Sequence, residues 1–374
     1  MKDSVGASIL SERQGKGRSV EQIYERLAFE LDDGDGGNSL SGYQCINPFV
    51  DDLVAAVRLR SEGLDWQRYT YLDGDQDLVS QIRAYHAAVD GVAPSAIVCG
   101  SGASSQLFGF VTYLHAKGVR KVFYVPPLYF TLYVALERYG IAAVPVADRQ
   151  PYERNFRLRL PEIEDCCLLL ADPVWYAGMP VADEVMEAIG SWQRKTRSLV
   201  FVDGSLQYMR WRGVMVEASS RLSRSLTIRL ICPTKQLAIH GYRFSYLLVP
   251  ELEARSVAWA CANVAGAASA ESLAFGHEAM EALNAGAIPR RLMGLVSARH
   301  RYLRESGKID SVLNPECGYF VFERLNSSLS EGHVLADGKY FEQDRYPGYC
   351  KINLLSPSIG LICGRITDAG GPSL

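Results

Sequence analysis

Three apolar runs in this sequence each stop on residues that can do chemistry. The run "AIVCG" leads into Ser101, Gly102, Ala103 and Ser104. Backbone N–H groups at the start of a helix, with hydroxyls beside them, can cradle a phosphate; the same residues also suit a plain helix cap. The run "SLVFV" ends on Asp203, which reads either as a turn residue or as a buried anion able to hold a protonated ring nitrogen. The run "SLTIRLICPT" ends on Lys235, with Gly241 and Arg243 after it. Partial desolvation at a strand end favours the neutral amine from which a Schiff base forms, although a lysine taken alone is more often a solvated surface charge. The three strand ends in this order are far more specific than any one of them.

What must position them is an alternation of helices and strands. "LVSQIRAYHAAV" has helical spacing, "AIVCG" is a short strand, and "SSQLFGFVTYLHAKG" is a helix closed by Gly118. "KVFYVP", "YFTLYVALERYG" and "AAVPV" continue as strand, helix and strand, and "CCLLLAD", "SLVFVDG", "SLTIRLICP" and "FSYLLVP" follow as strands. Continuous apolar runs suit a sheet buried on both faces, and their alternation with helices predicts a mostly parallel sheet with right-handed crossovers. The expectation is an α/β fold of three layers, helices on both faces of the sheet, with ligands beyond the carboxyl ends of the strands. An Ala-rich helical region over 255–305 then precedes two strands, "GYFVFERL" and "YCKINLL", which predicts a smaller C-terminal α+β domain. The expected division is an arm over 1–45 with one helix ("VEQIYERLAFEL"), a large ligand-binding domain over 46–255 and a small domain over 256–374.

The segment "CPTKQLAIHGYRFSYLLVP" resembles the cofactor-lysine segment of the class I/II aminotransferases, which are fold-type I pyridoxal-phosphate enzymes. Gly241 and Arg243 stand six and eight residues past Lys235, as that pattern requires. Upstream, "YTYLDGDQDL", "GSGASSQL", "PPLYFTLY" and "FVDGS" resemble further segments of the same family in the same order, and the likeness covers about residues 40–360. The resemblance implies pyridoxal 5'-phosphate as cofactor, with Lys235 as Schiff-base lysine and proton shuttle at the substrate α-carbon. Asp203 would keep the pyridine nitrogen protonated and the ring an electron sink, and Tyr129 would stack on that ring. Ser101, Gly102, Ala103, Ser104 and Arg243 would hold the phosphate, with Thr234 a further candidate. Tyr69 would reach the phosphate from a neighbouring subunit, which implies a homodimer with shared active sites.

The departures bear on activity. "DPVWYAG" stands where the family has Asn-Pro-x-Asn-Pro-Thr-Gly, so Trp175 replaces the asparagine that bonds the cofactor's phenolic oxygen; the indole N–H is a possible substitute donor, and packing is the alternative role. The family's tyrosine to the same oxygen is here Leu206, with Tyr208 close enough in sequence to swing in. Cys232 stands where a phosphate-binding serine is common. The arginine that binds the substrate carboxylate falls at Lys351, which exchanges a planar fork for a point charge. The resemblance implies an enzyme acting on an α-amino acid through an external aldimine, most simply an aminotransferase, and the divergence points to specialised (secondary) metabolism. A lyase, replacement enzyme or cyclase working through a quinonoid intermediate shares these motifs. A non-enzymatic effector domain would carry a DNA-binding domain, for which the residues ahead of the fold are too short and acidic.

Composition narrows the partners. A chain of 374 residues, 48% hydrophobic and 22% charged, is ordinary for a soluble globular protein. A net charge of -3 and the lack of a basic cluster interleaved with aromatics argue against nucleic acid and anionic membranes. The nine cysteines are scattered without metal-ligand spacing, so no metal is expected and reduced thiols are. With neither a secretory signal nor a spanning segment in view, the expected location is the cytoplasm.

Overall fold

Continuous apolar runs become central strands because burial on both faces leaves no position for a polar side chain. In chain order the main elements of the first part are α1 (Asp51–Glu62), α2 (Gln76–Val89), β1 (Ala96–Gly100), α3 (Ala103–Ala116), β2 (Lys121–Tyr124), α4 (Phe130–Arg138), β3 (Ala142–Pro145), β4 (Cys167–Ala171), α5 (Asp183–Thr196), β5 (Leu199–Gly204), β6 (Thr227–Ile231) and β7 (Ser245–Val249). The second part holds α6 (Ala254–Ala265), α7 (Ala270–Ala285), α8 (Ala287–Glu305), β8 (Ile309–Asp310), β9 (Phe320–Leu325), β10 (Ala336–Asp337), β11 (Tyr349–Asn353) and α9 (Pro357–Cys363). This is a computed structural model, and it describes residues 39–67, 75–213, 216–330, 336–337 and 346–364. The helix expected over 20–31, Tyr69 and the Gly-rich C-terminal end lie outside the described residues.

Seven strands form one sheet in the order β1-β7-β6-β5-β4-β2-β3. All run parallel except β7, which is antiparallel to both β1 and β6. Period-two alternation sorts the side chains between faces. Leu169, Phe201, Ile228 and Leu230 pack under α3, α4 and α6. Leu168, Leu170, Val200 and Val202 pack on α5, while Tyr246 and Leu248 meet α1, α2 and α7. Each such side chain contributes about 1.5–3 kcal/mol of burial. Helices α3 and α6 approach closely at Gly109, where a Cβ would stand 2.5 Å from Cys261 Sγ. The three-layer α/β architecture is the one expected from the sequence.

The second sheet is antiparallel, in the order β10-β11-β9-β8, and packs Phe322 and Ile352 against Leu292, Val296 and Ile359. The Ala-rich region is three helices, because Ser269 caps a fresh start through Ser272 N and Gly286 turns left-handed (φ 69) between α7 and α8. The small sheet's core includes Trp175, Leu206 and Met209, so it is continuous with the ends of the large sheet's strands. Residues 40–45 lie along β11, held by Asn353 N to Leu40 O (2.7 Å) and Asn353 Nδ2 to Gly42 O and Gln44 O (both 2.9 Å). All nine cysteines are free thiols. Among the described residues no helix is long and apolar enough to cross a membrane.

Candidate active site

The reversed strand β7 brings the first two parts of the site together. Because β7 enters where β1 leaves, Ser245 pairs with Gly100, and Arg243 arrives at the carboxyl end of β1. Its guanidinium covers Gly102, so close that a Cβ there would stand 2.8 Å from Nη2. Gly102 (φ 86, ψ 164) caps α3 without a side-chain bond, in backbone territory that is essentially glycine-only. Ser105 ties back to Ser101 O and Gly102 O (2.9 and 2.8 Å), which fixes the turn. Open N–H groups, the half-buried Ser101 and Ser104 and a guanidinium make an anion cradle. Gly102→Ala is therefore expected to weaken inorganic phosphate binding about tenfold and to cost about 1–3 kcal/mol in backbone strain. Titration with phosphate and a melting curve check both, and unchanged affinity would remove the cradle assignment.

Lys235 stands on a single helical turn, Pro233–Gln236, just past β6. Its Nζ lies 5.3 Å from the centre of the Tyr129 ring, and it makes no ion pair among the described residues. Tyr129 opens α4 and meets Trp175 edge-on (5.1 Å, 84°). Asp203 is buried at the end of β5; its Oδ1 accepts from Ser205 N and Oγ (3.1 and 2.5 Å), while Oδ2 has no hydrogen bond among the described residues. The loops of Asp203 and Lys235 are stapled together, since Gln236 Nε2 donates to Gln207 O at 3.2 Å.

Lys351, in the middle of β11, is only 1% exposed. Its Nζ sits in a box of aromatic rings, 3.8 Å from the centre of Tyr43, 4.7 Å from Phe320 and 5.8 Å from Trp175. Burial, then the charge of Lys235, pulls its pKa down to about 7. His240 is a neighbour that sequence reasoning passed over: its Nε2 lies 3.5 Å from Tyr319 OH. Burial, followed by Lys235 and Arg243, lowers its pKa to about 4, so at neutral pH it is a neutral imidazole. The only signal was its place one residue before Gly241. Tyr43 and Phe320 were missed because nothing local marks residues that meet a lysine from distant parts of the chain.

Two sequence expectations change. Tyr208 does not swing toward the site: its hydroxyl donates to Asp90 (2.9 Å to Oδ2) and accepts from Arg229 Nη2 at 2.5 Å, and Gln207 and Arg229 hold the loop it belongs to. Thr234 turns its hydroxyl to Phe244 O (3.3 Å) and Cys232 Sγ (3.1 Å), inside the turn and not into the cradle. Leu206 packs in the small-sheet core, and Tyr69 lies outside the described residues.

No protein-family model and no curated protein sequence matches the chain. Its structure is similar to those of several aminotransferases and related proteins. Substrate-bound BacF from Bacillus subtilis superposes with a TM-score of 0.75 at 14% identity, over 97% of this chain and 98% of that one. A methionine aminotransferase, YbdL from Escherichia coli, gives 0.74 at 14% identity over 94% and 97%. N-succinyldiaminopimelate aminotransferase from Mycobacterium tuberculosis gives 0.73 at 15% identity over 94% and 98%. The chain has the fold-type I architecture expected of it.

Proposed function

We propose that this chain is a pyridoxal-phosphate enzyme acting on an α-amino acid, in the first instance an aminotransferase. The observation that carries the reading is what stands at the carboxyl ends of β1, β5 and β6 in one sheet: an amine with no ion pair and a buried carboxylate with one oxygen free of hydrogen bonds, both among the described residues, and a guanidinium over a glycine turn. The residues present fit the cofactor. Gly102, the start of α3 and Arg243 would hold its phosphate, Asp203 Oδ2 its ring nitrogen, Tyr129 its face, and Lys235 Nζ would bind it covalently. When bound, it supplies a sink for the electron pair released at the substrate α-carbon. Lys235 Nζ would take the α-proton and return it, Asp203 would hold the ring-nitrogen proton, and the Trp175, Tyr129 and Phe130 rings would keep water off that carbon. The fold shared with a methionine aminotransferase and an N-succinyldiaminopimelate aminotransferase supports this reading.

Lys351 would bind the substrate carboxylate, in place of a two-pronged arginine; this and the Trp175 and Leu206 positions favour an uncommon amino acid of specialised metabolism. Only protonated Lys351 attracts a carboxylate. With its pKa pulled down to about 7, the charged form is present below that value and lost above it. KM is thus expected to rise toward tenfold per pH unit above about 7 while kcat changes little. Lys351→Met should raise KM about 10–100-fold below pH 7, the loss of one charge-assisted contact, and flatten that profile. A wild-type KM independent of pH from 6 to 9 would contradict the assignment.

A homodimer with shared sites belongs to the same proposal: exposed Ile46, Leu59 and Trp66 (50, 71 and 65% exposed) leave apolar surface in the segment leading to Tyr69. A fully active monomer in size-resolved fractions would count against it. The reaction class is tested by adding pooled L-amino acids to the cofactor-loaded protein. Loss of its visible band, restored only by a keto acid, marks an aminotransferase. Recovery without a keto acid marks a lyase, replacement enzyme or cyclase.

A further inference from the structure

Away from the strand ends, the described residues hold a second cleft of about 770 Å³, between α8 and the segments around residues 211 and 315. Its volume is within the roughly 300–1,000 Å³ of small-molecule sites. Arg210, Arg212, Arg301 and Arg304 all line it, against two carboxylates, Glu305 and Glu316. Arg210 reaches Glu316 at 3.6 Å, yet its Nε is buried with no hydrogen-bond partner. The side chains of Arg212, Arg301 and Arg304 have neither an ion pair nor a hydrogen bond among the described residues, and all three are exposed. Arg301 and Arg304 are three apart on one face of α8. In a chain of net charge -3, such a local excess of guanidinium is self-repelling unless an anion joins it.

The wall behind these side chains is preformed. Trp211 Nε1 donates to Gly318 O at 2.7 Å, and its ring leans on His300 (5.0 Å, 54°). His300 is tied in turn to Glu323 Oε1 at 3.0 Å. Planar forks on a rigid wall recognise phosphate oxygens better than a single carboxylate, which offers only two acceptor atoms. We propose that this cleft binds a small phosphorylated ligand with two or more phosphate oxygens to share among Arg212, Arg301 and Arg304.

Calorimetric titration of the full chain with inorganic pyrophosphate tests it at low ionic strength, where such contacts are least screened. Wild type, R301A/R304A and R243A are compared, because the cradle at Gly102 is a competing anion site. Binding about tenfold or more weaker in R301A/R304A, and retained in R243A, is the expected result. The melting curve of R301A/R304A should match wild type, since both side chains are exposed and unpaired. An R301A/R304A isotherm that superposes on wild type, binding that vanishes in R243A, or no binding in wild type would each overturn the proposal.

Discussion

Lys235→Ala will fold like the wild type and lose activity by about 10³-fold or more. Removing a positioned proton-transfer group alone costs about 10²–10⁴-fold, and here the same amine is also the proposed covalent anchor. The fold should survive because Lys235 makes no ion pair among the described residues; its Nζ faces only the Tyr129 ring at 5.3 Å. The decisive readout is covalent. After incubation with pyridoxal phosphate and borohydride, the mass gain should map to the peptide carrying Lys235 and be absent from the variant. Lys351 is the natural competitor, since its pKa of about 7 leaves part of it unprotonated near neutrality. Its place in the middle of β11 in the small sheet, and not at a strand end of the sheet that carries Gly102 and Arg243, argues against it. A mass gain on the Lys351 peptide, or none at all, would reverse the roles assigned to these two lysines.

The largest loss of stability is expected at Arg229, which is not among the residues proposed to bind cofactor or substrate. Its side chain is buried in β6, with Nη1 on Asp90 Oδ2 at 2.8 Å and Nη2 on Gln207 Oε1 at 2.8 Å. His86 completes the cluster, with Nδ1 3.0 Å from Asp90 Oδ2 and Nε2 2.9 Å from Tyr246 OH. Arg229→Leu strands a buried carboxylate, which costs about 3–5 kcal/mol. Burial opposes the Asp90 charge, but His86 and Arg229 outweigh it and hold its carboxyl below the usual aspartate range. A depressed carboxylate stabilises the fold above its unfolded pKa, and that contribution disappears as pH falls through the folded value. The gap between wild type and Arg229→Leu in urea unfolding should therefore be full at neutral pH and narrow as pH falls below the ordinary aspartate pKa of about 3.9. Adding Asp90→Asn should recover part of the loss. A single-variant cost under about 1 kcal/mol, the value of an exposed pair, would show that the cluster is not tightly packed in solution.

The strand ends were legible because continuous apolar runs stop abruptly where the sheet stops. The runs ending at Gly100, Asp203 and before Lys235 coincide with β1, β5 and β6 within a residue or a few. The direction of β7 was not legible, since a fully buried strand reads the same either way, and it is this direction that puts Arg243 over Gly102. Helices α1 and α5 were not separated from their surroundings, although Met186, Ile189 and Trp192 of α5 recur on one buried face. Tyr208 was misjudged for a different reason: its hydrogen-bond partner Asp90 is 118 residues away. The cage of Lys351 likewise needs Tyr43, from a segment held to β11 by contacts spanning about 310 positions.

The turn from Lys235 to Arg243 carries both ends of the proposed grip, one covalent and one electrostatic. Such an arrangement would act as a chelate. If the cofactor is held as proposed, Arg243 would keep it beside Lys235 at an effective concentration of about millimolar or more whenever the covalent grip is open. Recapture would then outrun escape, and residence time would be set by the rare moments when both grips are open together. A dilute cell extract would strip such a protein slowly, and the protein would keep its cofactor through purification without any being added to the buffer.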